Sequence, residues 1–360
     1  MRDKVLTTPP QKILIVLIAG IGDLILASKS IRAIRNGYPC ADIHLVTSTE
    51  ASSIARNYPY IDKVYTFPIR ELRRDKSYIL NILKLLGELR KEKYSHIVNL
   101  YNICSFLGAI KMGLFFKCIK SEMKIGHDYK GFGLFINKKI PKETFSNKNF
   151  ADAMLDIAIS MGGKPDYKGI EIFFCEEEGK KKWGYIFSSE DNKSIIRTIG
   201  INPGGDRSNR RWNPDNYATL ADWFVENLSS QVILLGGPGE ENISREIEGK
   251  TKSRIINLGG KLTLDELAYI ISQLDLLLTN DSGPMHIAAA VKTPIVAIFG
   301  PEDPALMGPY TSKELYKIIH KKVDCRPCKK EDCTNPICLE NIKPEEVFET
   351  CKEILLSRGK

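Results

Sequence analysis

The chain has 360 residues, of which 43% are hydrophobic and 27% charged, with 27 Gly, 18 Pro and 9 Cys. That length exceeds what one hydrophobic core usually serves, and the composition excludes a small disulfide-stapled module, a disordered chain and a collagen-like repeat. Lys and Arg outnumber Asp and Glu by 52 to 44, and the resulting +8 favours anionic partners: nucleic acid, phosphorylated small molecules or a membrane surface.

Residues 1–12 carry charges and two prolines but no apolar signal-peptide core, and the apolar run 13–22 is too short to span a bilayer. The longest uncharged stretch, 97–110, contains Asn99, Asn102 and Ser105 and ends at Lys111, short of the roughly 20 apolar residues a spanning helix needs. The reading is a cytoplasmic protein, with peripheral membrane contact left open. Nine cysteines are then reduced thiols.

Run 13–18 is continuously apolar and meets a Gly-rich turn at once, the pattern of a buried parallel strand. Leu24, Ala27, Ile31 and Ile34 follow at helical spacing until Tyr38-Pro39 stops them. Further strands are expected at 43–46, 63–67 and 96–100, with a helix over 76–93 between the last two. The charged run 176–182 (EEEGKKK) breaks the hydrophobic pattern and marks a domain boundary. Beyond it, strands are expected at 195–202, 232–235, 255–258, 274–278 and 294–299. Helices are expected over 214–227, 263–273 and 284–291, and a last one over 344–356. This βαβ rhythm predicts an α/β protein with two Rossmann-like domains, 1–178 and 179–342, and a C-terminal helical piece, 343–360. Two such halves in series imply a ligand cleft beyond the carboxyl ends of their strands.

Five segments carry chemistry. In Ala19-Gly20-Ile21-Gly22-Asp23 the glycines permit a tight turn close to a ligand, but Ile25 stands where a dinucleotide fingerprint needs its third glycine. Asp23 opens the next helix, either to complement its dipole or as a base for a substrate hydroxyl. The loop 202–214 holds Gly204 and three arginines, 207, 210 and 211, whose forks suit a diphosphate; a solvated basic loop is the alternative, and Trp212 argues for packing. In 279–286, Ser282 has the character of an N-cap and Pro284 of a first helical residue. Free amides at Ser282 and Gly283 would then form an anion site, with Asp281 available to sugar hydroxyls. His286 either packs or faces that site. Glu240, after Gly236-Gly237-Pro238-Gly239, either binds ribose or complements a helix terminus. Cys325, Cys328, Cys333 and Cys338 have the ligand number of a structural zinc site, against which stand Pro327, Pro336, Lys329 and Lys330.

Taken in order across nearly the whole chain, the segments ILIVLIAGIGDLILASKSIRAIRNGYPCADI, IGINPGGDRSNRRWNPDNYATLA, VILLGGPGEE, NLGGKLTLDELAYIISQLDLLLTNDSGPMHIAAAVKTPIVAIFGPEDP and CRPCKKEDCTNPICLENIKPEEV resemble glycosyltransferase family 9, the ADP-heptose:lipopolysaccharide heptosyltransferases. The resemblance implies a GT-B fold whose two Rossmann-like domains face a central cleft, an acceptor-binding N-terminal half and a nucleotide-sugar-binding C-terminal half. It implies metal-independent transfer with inversion, onto a glycolipid acceptor. Asp23 matches the general base, and Arg210 stands where the family commonly has a lysine. Asp281 matches a sugar-contacting carboxylate, Ser282 and Gly283 match phosphate contacts, and Glu240 matches a nucleotide-side carboxylate. Gly22, Gly204, Arg211 and His286 complete the expected donor-site set. The alternatives are a sugar-nucleotide epimerase of the same fold and a family 9 transferase with a different donor sugar. A pyridine-nucleotide oxidoreductase is disfavoured by Ile25, and no nucleic-acid module is recognisable. The chain is read as a monomer.

All of the excess charge lies in residues 1–178, which carry +8, while 179–360 are neutral. Within the basic half, Lys111, Lys117, Lys120 and Lys124 interleave with Met112, Leu114, Phe115, Phe116 and Ile119. That segment reads either as a contact for an anionic membrane or phosphorylated glycolipid, or as a core helix with a solvated lysine face.

Overall fold

The computed structural model describes residues 10–101, 103, 105–141, 148–188, 197–326, 328 and 333–357. They fall into two compact units, Met1–Lys168 and Gly169–Lys360.

The first unit is one parallel sheet in the order β3-β2-β1-β4-β5-β6. Its elements are β1 (Lys12–Leu17), α1 (Ile21–Gly37), β2 (Asp42–Ser48), β3 (Lys63–Phe67), α2 (Ile79–Lys91), β4 (His96–Asn99), α3 (Phe106–Cys118), β5 (Met123–His127), β6 (Lys138–Ile140) and α4 (Phe150–Ser160). β1 lies between β2 and β4, in register Ile13↔Ile43 and Ile13↔His96, and its residues from Ile13 to Leu17 are all buried, the setting in which an unbroken apolar run is expected. Strands β5 and β6 were not expected from the sequence. Their segments, MKIGH and KKI, are short and part polar, with their outer positions partly or fully exposed.

The second unit repeats the plan in the order β12-β11-β10-β7-β8-β9. It comprises α5 (Glu176–Trp183), β7 (Arg197–Asn202), α6 (Pro214–Leu228), β8 (Ser230–Leu234), α7 (Glu241–Lys250), β9 (Ile256–Asn257), α8 (Leu264–Ser272), β10 (Leu276–Asn280), α9 (Gly283–Val291), β11 (Ile295–Phe299), β12 (Tyr316–His320) and α10 (Pro344–Leu356). The expected start of β7 at 195–196 lies outside the described residues.

The units divide at Lys168/Gly169, before the charged run expected to separate them. That run is α5: its three glutamates occupy the first turn and its three lysines the last, each complementing the helix dipole. Gly179 lets α5 sit against the Tyr269 ring, where a Cβ would come within 2.5 Å, and Lys182 pairs with Glu266 at 2.7 Å. The C-terminal helix is likewise part of the second unit. Val347, Cys351, Ile354 and Leu355 of α10 are buried in the core that also holds Trp212, Phe224 and Ile298.

Strand β10 begins two residues later than its apolar run suggests. Pairing Leu276↔Ile199 through Thr279↔Asn202 carries Thr279 and Asn280 into the sheet. This shift sets the geometry of the site at its end.

Candidate functional site

In the first unit Asp23 is the third residue of α1, at the carboxyl end of β1, and is partly exposed. Its Oδ2 accepts the Gly20 N–H at 3.2 Å, closing the first turn. Dipole complementation therefore describes its position. Gly22 precedes it within the same helical turn.

In the second unit the residues converge at the carboxyl ends of β7, β10 and β11. The loop after β7 is held from below by Asn280, a residue the motif reading passed over. Its Nδ2 donates to the carbonyls of Pro203 (2.7 Å) and Gly204 (3.1 Å), and its Oδ1 accepts the Trp212 N–H (3.3 Å) and the Tyr217 hydroxyl (2.8 Å). Asn280 is wholly buried, so each of these bonds replaces water in a dry environment. A polar side chain ending the apolar strand LLLTN was the available signal. Trp212, also buried, donates its ring N–H to Ile342 and stacks edge-on against Tyr217, anchoring the loop to the core.

The three arginines of this loop have different partners. Arg210 bridges two carboxylates: Asp281 lies 3.1 Å from Nη1, and Glu302 Oε1 lies 2.5 Å from Nη2. Arg207 reaches the same Glu302 oxygen at 3.4 Å. Arg211 instead grips the Gly205 carbonyl with Nε and Nη2, at 2.8 and 2.6 Å. Its fork shapes the loop. Glu302 was also unforeseen; it follows Pro301 at the end of β11 and holds both remaining guanidiniums in place.

Glu240 ties two glycine loops together. Its Oε1 accepts the Gly205 N–H at 2.6 Å and its Oε2 the Gly237 N–H at 2.8 Å. Gly204 must lack a side chain here, since a Cβ would come within 2.2 Å of that carboxylate. Each oxygen keeps a further lone pair, through which a ribose hydroxyl could still reach it.

Ser282 occupies the N-cap position of α9, but its hydroxyl does not cap the helix. It accepts from Asn202 at 3.2 Å and donates to the Asn280 carbonyl. The first-turn amides behind it therefore gain no side-chain acceptor from the cap, and the positive end of the helix dipole is open at this point. His286, one turn on, is buried, and its pKa falls to about 4, first through burial and then through the charge of Arg210. It is neutral at physiological pH. Three solvent-shielded polar atoms here, Asn202 Oδ1, Arg210 Nε and His286 Nδ1, have no hydrogen-bond partner among the described residues. Buried polar atoms without partners are uncommon in folded proteins. Of these groups the Arg210 guanidinium, together with the first-turn amides of the helix, has the donor chemistry that suits an anion.

The four loop cysteines do not form the expected zinc set. They border one small cavity, but among the described residues no three His, Cys, Asp or Glu side chains come together closely enough to hold a metal. The short helix Ile337–Glu340 turns Cys338 into the core, where burial raises its thiol pKa, while Cys325 is exposed. Pro327, Lys329, Lys330 and Cys104 lie outside the described residues.

Comparison with known proteins gives the family and the fold. The model of glycosyltransferase family 9 (heptosyltransferase) matches residues 82–338. Lipooligosaccharide heptosyltransferase 2 of Campylobacter jejuni is 27% identical over 352 residues, covering 96% of this chain and 99% of the relative. Lipopolysaccharide heptosyltransferase 3 of Escherichia coli K12 is 24% identical, covering 93% and 95%. Among solved structures, ADP-heptose lipopolysaccharide heptosyltransferase II of E. coli superposes with a TM-score of 0.73 at 23% identity, covering 97% of this chain and all of that one. A family 9 glycosyltransferase from Veillonella parvula reaches 0.76 at 22% identity, covering 96% and 97%. These likenesses establish the GT-B fold, and the family match establishes the class: the chain belongs to glycosyltransferase family 9 and is a glycosyltransferase.

Proposed function

We propose that the protein transfers a heptose, with inversion and without a metal cofactor, from ADP-heptose to an anionic lipopolysaccharide-type glycolipid at the cytoplasmic face of a membrane. The observation that carries this reading is Arg210, held between Asp281 and Glu302 with its Nε buried and unpartnered, at the N-terminus of α9. A diphosphate placed there meets a guanidinium fork, backbone amides and the positive end of a helix dipole. The names of the relatives supply the sugar and the acceptor class.

In this reading an acceptor hydroxyl gives its proton to Asp23 while its oxygen attacks the anomeric carbon of the donor. The bond from that carbon to the diphosphate oxygen breaks, and the nucleoside diphosphate leaves with the electron pair. Arg210 and the amides of Ser282 and Gly283 stabilise the growing negative charge, the work a divalent ion does elsewhere. Asp281, fixed by its ion pair, presents carboxylate oxygens to sugar hydroxyls.

The test is transfer from ADP-heptose to a lipopolysaccharide core acceptor in excess chelator, with the anomeric configuration of the product read by NMR. Full turnover and an inverted linkage are expected. Chelator-dependent loss or a retained configuration would overturn the mechanism, and an altered free sugar formed without acceptor would favour an epimerase.

A further inference from the structure

Helix α3 is apolar on both its inward and its outward face, interrupted by Lys111 and Lys117, and its inward face is already occupied. Met112, Phe115 and Phe116 turn into the core with Leu85 and Leu89 of α2. The outward face is apolar as well: Phe106, Leu107 and Leu114, together with Leu80 and Leu83 of α2, are each at least 59% exposed. A helix that is hydrophobic all round is ordinarily buried on all sides. Here the second side has no covering element among the described residues.

The position of this surface is defined by the sheet. Helices α2 and α3 follow β3 and β4 and pack into one core, so they lie on the same face and run opposite to the strands. Their first turns therefore sit at the carboxyl edge of the sheet, the edge at which α1 places Asp23. The exposed apolar residues concentrate in those first turns.

Charge decides the kind of partner. Lys76 and Lys84 flank the apolar residues of α2, and Lys111 and Lys117 those of α3; all four are exposed. Lys117, Lys120 and Lys124 also border an open hollow beside Phe135. Residues 1–168 carry 27 basic against 15 acidic side chains. Protein interfaces are depleted of lysine, whereas an apolar face rimmed by lysines is the pattern of a surface resting in an anionic bilayer. No helix among the described residues is long and apolar enough to cross a membrane.

We propose that the first turns of α2 and α3 form a membrane-docking surface, whose exposed leucines and Phe106 enter the interface of an anionic bilayer while the lysines contact lipid phosphates. The inference rests on the glycolipid-transferase reading and specifies how the enzyme meets a membrane-held acceptor. It replaces the expectation for segment 111–124 with a two-sided helix, since four of the apolar residues named there are core and the docking face begins at Phe106.

The test is co-sedimentation with vesicles of phosphatidylcholine alone and of phosphatidylcholine mixed with phosphatidylglycerol, together with the oligomeric state of the free protein. The protein should bind the anionic vesicles and not the neutral ones. Leu80→Glu with Leu107→Glu should weaken binding by about tenfold or more, and Lys84→Glu with Lys111→Glu by about tenfold. The leucine variant should keep its thermal stability, its nucleoside diphosphate affinity and its transfer to a lipid-free acceptor, but lose transfer to vesicle-embedded acceptor. Equal recovery on both vesicle types, no recovery on either, or a dimer that Leu80→Glu with Leu107→Glu dissociates would overturn the proposal. Loss of transfer to every acceptor with vesicle binding as expected would count against the assigned reaction and leave the docking surface standing.

Discussion

The carboxylate of Asp281 lies 3.1 Å from the guanidinium of Arg210, and only 3% of Asp281 is exposed. The counter-charge of this deeply placed carboxylate is supplied by a loop from a different strand. The ion pair thus links the end of β10 to the arginine loop after β7.

Removing one partner of such a pair leaves an uncompensated buried charge. Arg210→Ala is expected to destabilise the protein by about 3 kcal/mol and to abolish nucleoside diphosphate binding. Arg210→Lys keeps the charge and most of the stability but loses the fork, and its affinity should fall by about tenfold. Thermal unfolding and calorimetry measure the two effects separately; wild-type affinity in the alanine variant would remove Arg210 from the donor site.

Asp23→Asn preserves an oxygen for the Gly20 amide, so its stability should stay within about 0.5 kcal/mol of wild type. Turnover should be abolished with nucleoside diphosphate binding intact, because only the basic oxygen is lost. Turnover close to wild type would rule out the base.

Glu240 and Gly204 are expected to be energetically coupled. Glu240→Ala strips an acceptor from two amides and should cost about 1–3 kcal/mol. Gly204→Ala drives a Cβ into the carboxylate. In the double variant the clash is gone, so its cost should undercut the sum of the single variants by about 1 kcal/mol or more. Strictly additive costs would show that the carboxylate does not bridge the loops in solution.

Acid should weaken the fold in two windows. His286 has a folded pKa of about 4 against an ordinary 6.5, so the unfolded chain takes its proton first and stability drops as pH falls from about 6.5 towards 4. His127, lowered to about 4 by burial, acts in the same window. Glu92 is held at about 2 by hydrogen bonds from Lys12, Lys63 and Tyr65. Its contribution is complete above its ordinary 4.5 and disappears as pH falls towards 2. With screening at its partly open position, that loss is of order 1–3 kcal/mol. Denaturant unfolding across pH should show a shallower fall in the lower window for Glu92→Gln; an unchanged profile would exclude the network as its source.

Some features of this protein are properties of short segments. The apolar run of β1, the arginine loop after β7 and the Pro284 start of α9 are readable because period, turn chemistry and capping act within a few residues. The doubly wound class follows from their alternation, and the ordered motifs were enough to indicate the family. Pairing across the sheet was not readable. It moved β10 by two residues, made Asn280 the support of the arginine loop, joined Glu302 to Arg207 and Arg210, and turned Arg211 onto a carbonyl. The cysteine loop shows the same limit: the spacing of four thiols resembles a zinc site, but the direction of Cys338 is set by a helix packed under β11. The sequence by itself determined which chemical groups stand at the carboxyl ends of the strands. Only the tertiary structure decided which of them are occupied with one another, because partners tens of residues apart meet only once the sheet has set their register.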